Sequence, residues 1–247
     1  MDRVLDVARD RGIPVIEDAA QAILSSYRGH PLGGFGQLAC ISFHETKNVG
    51  CGEGGALLVN EADWVERAEV IQEKGTDRSK FFRGEVARYT WVELGSSFLM
   101  SEVSAAFLWA QLEAAEGITA RRIAIWERYH EQFAPLEAEG LLRRPVVPAN
   151  ARQNGHMYYL LLPDRASRDG LIRRLASQGI QAVFHYVPLH SSPAGLRYGR
   201  TAGSLSVTDD ASARLVRLPL WVDMEEAEVE RVTAGVEEAV RGTVPAG

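Results

Sequence analysis

The stretch Ile13-Pro14-Val15-Ile16-Glu17-Asp18-Ala19-Ala20-Gln21 decides the fold class. Its first four residues form an apolar, mainly β-branched run that predicts a buried strand, with Pro14 tolerable near an edge. The run closes on two carboxylates and then on small residues, so acidic groups stand where the strand ends. Before it, Val4, Leu5 and Ala8 make a short helical stripe that Gly12 ends. After it come a strand over 38–43, a glycine-rich turn and a strand over 56–59. Helices are expected over 61–74 and over 101–115, the second well buried because small and apolar residues cover most of its faces. Helix and strand alternate to about residue 117, the pattern of a parallel α/β domain.

Further on the period changes. Residues 118–139 read as one long amphipathic helix, with Ile123, Trp126, Tyr129 and Phe133 on a shared face. Pro145 and Pro148 break the chain. A strand over 156–162, a helix over 167–178, a strand over 180–186 and a final helix over 225–240 follow. The expected division is a partial large α/β domain, 1–117, and a long helix with a small α+β domain, 118–247. About three strands in the first part is few beside the usual five or six. The chain also begins abruptly, so an N-terminal portion is expected to be absent.

Composition narrows the function. A chain of 247 residues, 46% hydrophobic and 24% charged, is ordinary for a soluble globular protein. A net charge of −6 argues against a nucleic-acid partner. No apolar run approaches the roughly 20 residues that span a bilayer, and Met1-Asp2-Arg3-Val4 lacks the apolar core of a signal peptide. No membrane association is expected, and the location is expected to be cytoplasmic. Cys40 and Cys51 form neither a CxxC pair nor a metal-ligand spacing and read as reduced thiols.

A second stretch carries the chemistry: Ser42-Phe43-His44-Glu45-Thr46-Lys47-Asn48, followed by Gly50, Gly52, Gly54 and Gly55. A lysine just past a strand end can form a Schiff base with a carbonyl cofactor when its amine is partly desolvated. The glycines let backbone approach a flat ligand. Asp18, at the end of the preceding strand, can pair with a protonated pyridine nitrogen and keep the ring an electron sink. Gln21 can donate to a ring oxygen and Ser42 to a phosphate. Taken singly, Lys47 reads as a solvated loop lysine and Asp18 as a helix N-cap. Their pairing on successive strand ends shifts the weight.

Competing motifs fall away. Gly50-Cys51-Gly52-Glu53-Gly54-Gly55 matches GxGxxG, but a strand-like run follows where a dinucleotide fold needs a helix. His44-Glu45 lacks the second histidine of HExxH, and no GxxxxGK[ST] is present. His185 and His190 have no third ligand, so no metal is expected. The run from Lys74 to Arg88 holds five basic residues with Phe81 and Phe82. It reads as a solvated loop, with contact to a diphosphate as the sharper alternative.

These residues resemble the DegT/DnrJ/EryC1/StrS sugar aminotransferases. The resemblance rests on Glu17 to Gln21, Ser42 to Asn48 and Gly52 to Ala56. It continues through Arg67-Ala68, Lys74-Gly75-Thr76, Ser101 to Leu112, His156 to Tyr159, Phe184 to His190 and Leu218-Pro219-Leu220. It implies the C-terminal portion of an aspartate-aminotransferase-like fold and pyridoxal 5'-phosphate (PLP) as cofactor. By the same resemblance Lys47 is the Schiff-base lysine and acid/base. Asp18 pairs with the pyridine nitrogen, Gln21 contacts the ring hydroxyl side and Ser42 the phosphate. His185, Tyr186 and His190 face a nucleotide sugar.

Phe82 to Gly84, Tyr89 to Trp91 and Gly95 to Ser101 are similar to the dTDP-4-amino-4,6-dideoxygalactose transaminase branch. That implies transfer of an amino group from an amino acid, L-glutamate, to a nucleotide-linked 4-keto-6-deoxy sugar, in a homodimer serving lipopolysaccharide or antigen synthesis. Where many relatives carry an asparagine for the partner's cofactor phosphate, Ser97 stands, and that role is not carried over. The family also has a segment before the point where this chain begins. It supplies a helix N-terminus for the phosphate and an aromatic residue over the ring. Without it, the chain alone is expected to hold PLP weakly and not to transaminate. The other reading is a silent remnant serving only folding or dimerisation.

Overall fold

The computed structural model of the chain describes residues 1–242. They form two compact units, one of residues 1–118 with 148–154, the other of residues 119–147 with those from 155 onward.

In the first unit, α1 (Asp2–Asp10) ends where Gly12 turns left-handed at φ +62. The Ile13 N–H donates back to the Ala8 carbonyl at 2.9 Å. Ile13 therefore caps a helix, and the strand expected over 13–16 begins later, as β1 (Ile16–Asp18). Nor is that strand buried, for Ile16 is 62% exposed. β1 lies at the edge of a three-stranded sheet, beside β4 (Leu38–Ser42) and then β5 (Gly55–Val59). Between β1 and β4 sits a hairpin of β2 (Ser26–Tyr27) and β3 (His30–Pro31). Its turn residues Arg28 and Gly29 both have positive φ, +51 and +80, as a two-residue I′ turn requires.

β1 runs parallel to β4, but β4 and β5 are antiparallel. The sheet is thus mixed where a parallel one was expected. The reason is the short connection: Phe43 to Gly54 is a hairpin excursion, and a hairpin can join only antiparallel strands. The hairpin is laced by Phe43 N–H to Gly54 O, Glu45 N–H to Gly52 O and Cys51 N–H to Phe43 O, each 2.8 Å.

α2 (Val65–Gln72), α3 (Arg78–Phe82) and α4 (Glu102–Glu113) complete the helices of this unit. Ser101 caps α4, its Oγ accepting from Ser104 N–H at 3.2 Å. The expected burial of α4 is overturned. Leu108 is its buried residue, while Val103 and Trp109 are 82% and 66% exposed and Phe107 and Leu112 are exposed too. Within this unit its apolar surface has no cover. A short strand, β6 (Ala151–Arg152), returns from far along the sequence to pair with β2.

The second unit is built on α5 (Ala115–Gln132), which enters it at Thr119, and α6 (Ala134–Ala138). The single helix expected over 118–139 breaks at Phe133. Pro135, in the first turn of α6, has no N–H and its ring clashes with the carbonyl four residues back. Trp126, Tyr129 and Phe133 point into the core as expected, joined by Ile125, whereas Ile123 is half-buried. β7 (Tyr158–Leu161), α7 (Arg165–Ser177), β8 (Val183–Phe184), α8 (Pro193–Tyr198), α9 (Ser206–Arg214), β9 (Leu215–Leu218) and α10 (Glu226–Arg241) follow. The sheet order is β7-β9-β8, antiparallel throughout. β8 is shorter than the expected 180–186. Gly179 turns left-handed at φ +71, and Ile180 N–H donates to Leu175 O as the cap of α7. At the other end of α7 the Asp164 carboxylate accepts from Ser167 N–H at 2.8 Å, which holds its carboxyl below the usual range.

Candidate active site

Glu17 and Asp18 are successive strand residues, so their side chains leave opposite faces of the sheet. Glu17 is consumed by structure. Its carboxylate accepts from the N–H groups of Gly33, Phe35 and Gly36 at 3.0, 2.7 and 2.8 Å. Asp18 faces the other way and is exposed. Its only hydrogen bond among those of the described residues is to Ala20 N–H, accepted at 3.1 Å. That leaves the second carboxylate oxygen available to a ligand.

The register carries this face across the sheet. Asp18 pairs with Cys40, and Cys40 with Leu57. Ser42, two residues further along β4, lies on the same face, one strand across (about 4.8 Å) and about 6.6 Å along. The Ser42 Oγ accepts from His44 N–H at 3.3 Å, so its own proton remains free to be donated. Opposite Ser42 stands Gly55, which presents no side chain. Cys40 and Leu57 are exposed between them, a smooth floor beside a carboxylate and a hydroxyl.

Lys47 sits in the turn that leaves β4, its N–H donating to His44 O at 2.9 Å. It is half-buried, and among the described residues no carboxylate forms an ion pair with its amine. The turn has no room for side chains at its crossing: a Cβ on Gly50 would stand 2.8 Å from the His44 carbonyl oxygen. His44 is occupied in holding it. Its Nδ1 accepts from Thr46 N–H at 3.2 Å and contacts Thr46 Oγ1 at 2.8 Å. The ring proton is thereby assigned to Nε2, 3.7 Å from Glu53.

Two residues that sequence reasoning passed over join these segments. Asn48 and Asn154 are buried. The Asn48 Nδ2 donates to Asn154 O at 2.8 Å, and the Asn154 Nδ2 donates to the carbonyls of Gln21 and Ile23, each at 2.8 Å. Gln21, exposed, lies within a turn in which Ala22 N–H donates to Ala19 O. No periodic signal links positions so far apart. The one available cue was that asparagine is seldom buried without hydrogen-bond partners.

Asp18, Gln21, Ser42 and Lys47 thus belong to adjoining segments of the first unit. His185, Tyr186 and His190 belong to the second. There His190 Nε2 lies 3.0 Å from Asp209. The His185 ring packs edge-on to Tyr186, and its Nδ1 is buried without a hydrogen-bond partner among the described residues. Burial first, and the Arg217 charge second, push its pKa down. The basic run after Lys74 is largely engaged in the first unit. Arg78 pairs with Glu73, Lys80 with Glu66, and Arg83 with Glu69 and Glu85. The described residues hold no group of three or more His, Cys, Asp or Glu side chains able to bind a metal. No helix among them is long and apolar enough to cross a membrane.

Known proteins resemble this chain in sequence and fold. GDP-perosamine synthase of Caulobacter vibrioides is 30% identical over 97% of this chain and 62% of its own length. The dTDP-3-amino-3,4,6-trideoxy-alpha-D-glucose transaminase of Streptomyces venezuelae is 29% identical over 96% of this chain and 59% of its own. Among solved structures, the aminotransferase TlmJ of Streptoalloteichus hindustanus superposes with a TM-score of 0.84 at 28% identity, over 97% of this chain and 62% of that one. The chain thus spans about three fifths of the length of the curated relatives it matches. Its fold is that of the sugar aminotransferases, an α/β arrangement of mixed helix and sheet. Residues 1–237 match one family description throughout. With both the fold and the sequence in agreement, the chain belongs to the DegT/DnrJ/EryC1/StrS aminotransferase family, whose enzymes depend on PLP.

Proposed function

We propose that this protein is the cofactor-lysine-bearing part of a sugar-nucleotide transaminase, with Lys47 bonding to the carbonyl carbon of PLP. The observation that carries the reading is that an exposed carboxylate, Asp18, ends β1, while Lys47, whose amine has no ion pair among the described residues, stands in the turn that leaves the neighbouring parallel strand β4. The donor set fits the cofactor. It offers a carboxylate for the pyridine N–H, a hydroxyl at Ser42 for an anion and a flat apolar floor at Cys40 and Leu57 for a ring.

Bound PLP supplies an electron sink for charge developing at the amino-bearing carbon. The residues of this chain do the rest. Asp18 holds the ring nitrogen protonated through a charge-assisted hydrogen bond. Ser42 donates to the phosphate, and Gln21 contacts the ring hydroxyl side. Lys47, once its amine is free, takes a proton from the amino donor and returns one to the sugar. The substrates proposed are L-glutamate and a nucleotide-linked 4-keto-6-deoxy sugar, the second contacted by His185, Tyr186 and His190. Support for the sugar comes from the two relatives, named for dTDP- and GDP-linked amino sugars. A homodimer is proposed because α4 leaves Val103, Phe107 and Trp109 bare. A cytoplasmic site accords with two free cysteines.

The test is borohydride reduction of the protein with PLP, peptide mapping, and a coupled assay, with glutamate and a dTDP-4-keto-6-deoxyhexose, on a full-length form that also carries the family's N-terminal segment. A pyridoxyl group on Lys47 with sugar-dependent turnover supports the reading. An adduct on another lysine overturns the assignment. An adduct on Lys47 without turnover favours the silent module.

A further inference from the structure

The segments that carry Gln21 and Lys47 leave the neighbouring strands β1 and β4, and both lie beyond the end of the ladder that pairs Asp18 with Cys40. One buried residue joins them. Asn154 is 4% exposed and Asn48 is 7% exposed. The backbone carbonyl of Asn154 receives the Asn48 side chain, next to Lys47, and its own side-chain amide reaches the Gln21 and Ile23 carbonyls beyond Asp18. Two carbonyl acceptors on one terminal group can be served only by an NH2, so the amide orientation of Asn154 is fixed by its partners. Asn154 is itself held by the strand pairing of Ala151 and Arg152 with Tyr27 and Ser26, and by Arg28 N–H donating to Asn150 O at 2.7 Å.

We propose that Asn154, acting with Asn48, is a positioning residue that sets the spacing between the Lys47 turn and the Asp18–Gln21 segment. It touches no ligand itself. The inference rests on the reading of Lys47 as the cofactor lysine. A lysine must approach the carbonyl carbon while Asp18 meets the ring nitrogen of the same rigid molecule, so an error of about 1 Å between the two segments is costly. A clasp of donors aimed at backbone carbonyls fixes that spacing without occupying the ligand's face.

The test uses isosteric variants that keep the volume but cannot donate at neutral pH: Asn154→Asp and Asn48→Asp. The matched control is Asn60→Asp. Asn60 makes the same kind of clasp, its Nδ2 donating to Gly33 O and Gly36 O at 2.8 Å, but on another loop. Two readouts are taken: amide hydrogen exchange without cofactor, and the amount of PLP trapped on Lys47 by borohydride at a fixed, subsaturating concentration. Asn154→Asp should raise exchange at least tenfold in both 20–24 and 44–50 and lower trapping at least tenfold. Asn48→Asp should act in the same direction on both segments, and the double variant should be no worse than the poorer single. Asn60→Asp should leave trapping within twofold.

Exchange that rises only in 20–24 in Asn154→Asp, or only in 44–50 in Asn48→Asp, would overturn the proposal. So would trapping unchanged in Asn154→Asp, or lowered equally in Asn60→Asp. If the unsubstituted protein shows no adduct on Lys47, the cofactor reading falls and the positioning role with it, while the exchange data still report whether the clasp couples the two segments.

Discussion

Glu17 and Asp18 are adjacent carboxylates with opposite employment: the first is bonded to three backbone N–H groups, the second is exposed on the other face of β1. The pair separates stability from chemistry. Glu17→Ala removes a charged acceptor from the three N–H groups and should destabilise the protein by about 2–4 kcal/mol, since bonds to charged groups are each worth roughly 1.5–3 kcal/mol and do not add fully. Asp18→Asn should change stability by under about 1 kcal/mol, as exposed substitutions do, and, in a full-length form carrying the family's N-terminal segment, lower transamination at least a hundredfold. Denaturant midpoints and turnover on both variants check the contrast. Equal losses of turnover in two equally stable variants would refute it.

Lys47→Arg keeps the charge and most of the reach but cannot form the covalent bond to the carbonyl carbon. In the full-length form turnover should vanish, and the visible absorbance produced by adding PLP should vanish with it, while the unfolding transition stays within about 1 kcal/mol. Retained absorbance would place the bond elsewhere.

Acid should loosen the second unit first through its histidines. His130 stacks on Trp126 with ring centroids 4.6 Å apart. Burial, then the Arg144 charge, lowers its pKa below the ordinary 6.5, and His185 is lowered in the same sense. The unfolded chain therefore binds these protons more readily than the folded one. Stability is complete above about pH 6.5 and falls as pH drops through the folded-state values, by about 1.4 kcal/mol per unit of difference. Glu137, held down mainly by the Arg144 backbone N–H, acts in a lower window because its ordinary value is already 4.5. Urea midpoints should decline between pH 7 and pH 5, and His130→Phe, which keeps a ring on Trp126, should make the decline shallower. An unchanged slope would show that His130 does not contribute.

Phe107→Asp puts a charge on the bare face that Phe107 shares with Val103 on α4. If that face closes a homodimer, sedimentation at micromolar concentration should shift from dimer to monomer, with the far-ultraviolet spectrum unchanged. A variant that stays dimeric would move the interface elsewhere.

The residues that bear chemistry were legible because their types and spacing are local: Asp18 at a strand end, Lys47 before a glycine turn. Boundaries set by caps were harder. Ile13 and Ile180 have strand-like side chains, yet each follows a left-handed glycine and closes a helix. The β2–β3 hairpin was missed because its I′ turn is Arg-Gly, without the Asn-Gly or Asp-Gly that marks such turns. The burial expected of α4 failed for a different reason. Composition reports what a face prefers, not what lies against it. Asn154 was invisible because its partners are more than a hundred residues away.

The return of residues 148–154 to the first unit bears on how the chain is made. Translation delivers Lys47 and Gln21 well before Asn154, at roughly 5–20 residues per second. For some seconds the nascent chain holds β2 without its β6 neighbour and the Gln21 and Ile23 carbonyls without their donor. The first unit is thus finished only after α5 and α6 have left the ribosome, and a chain stalled before residue 154 would present it incomplete and open to proteases.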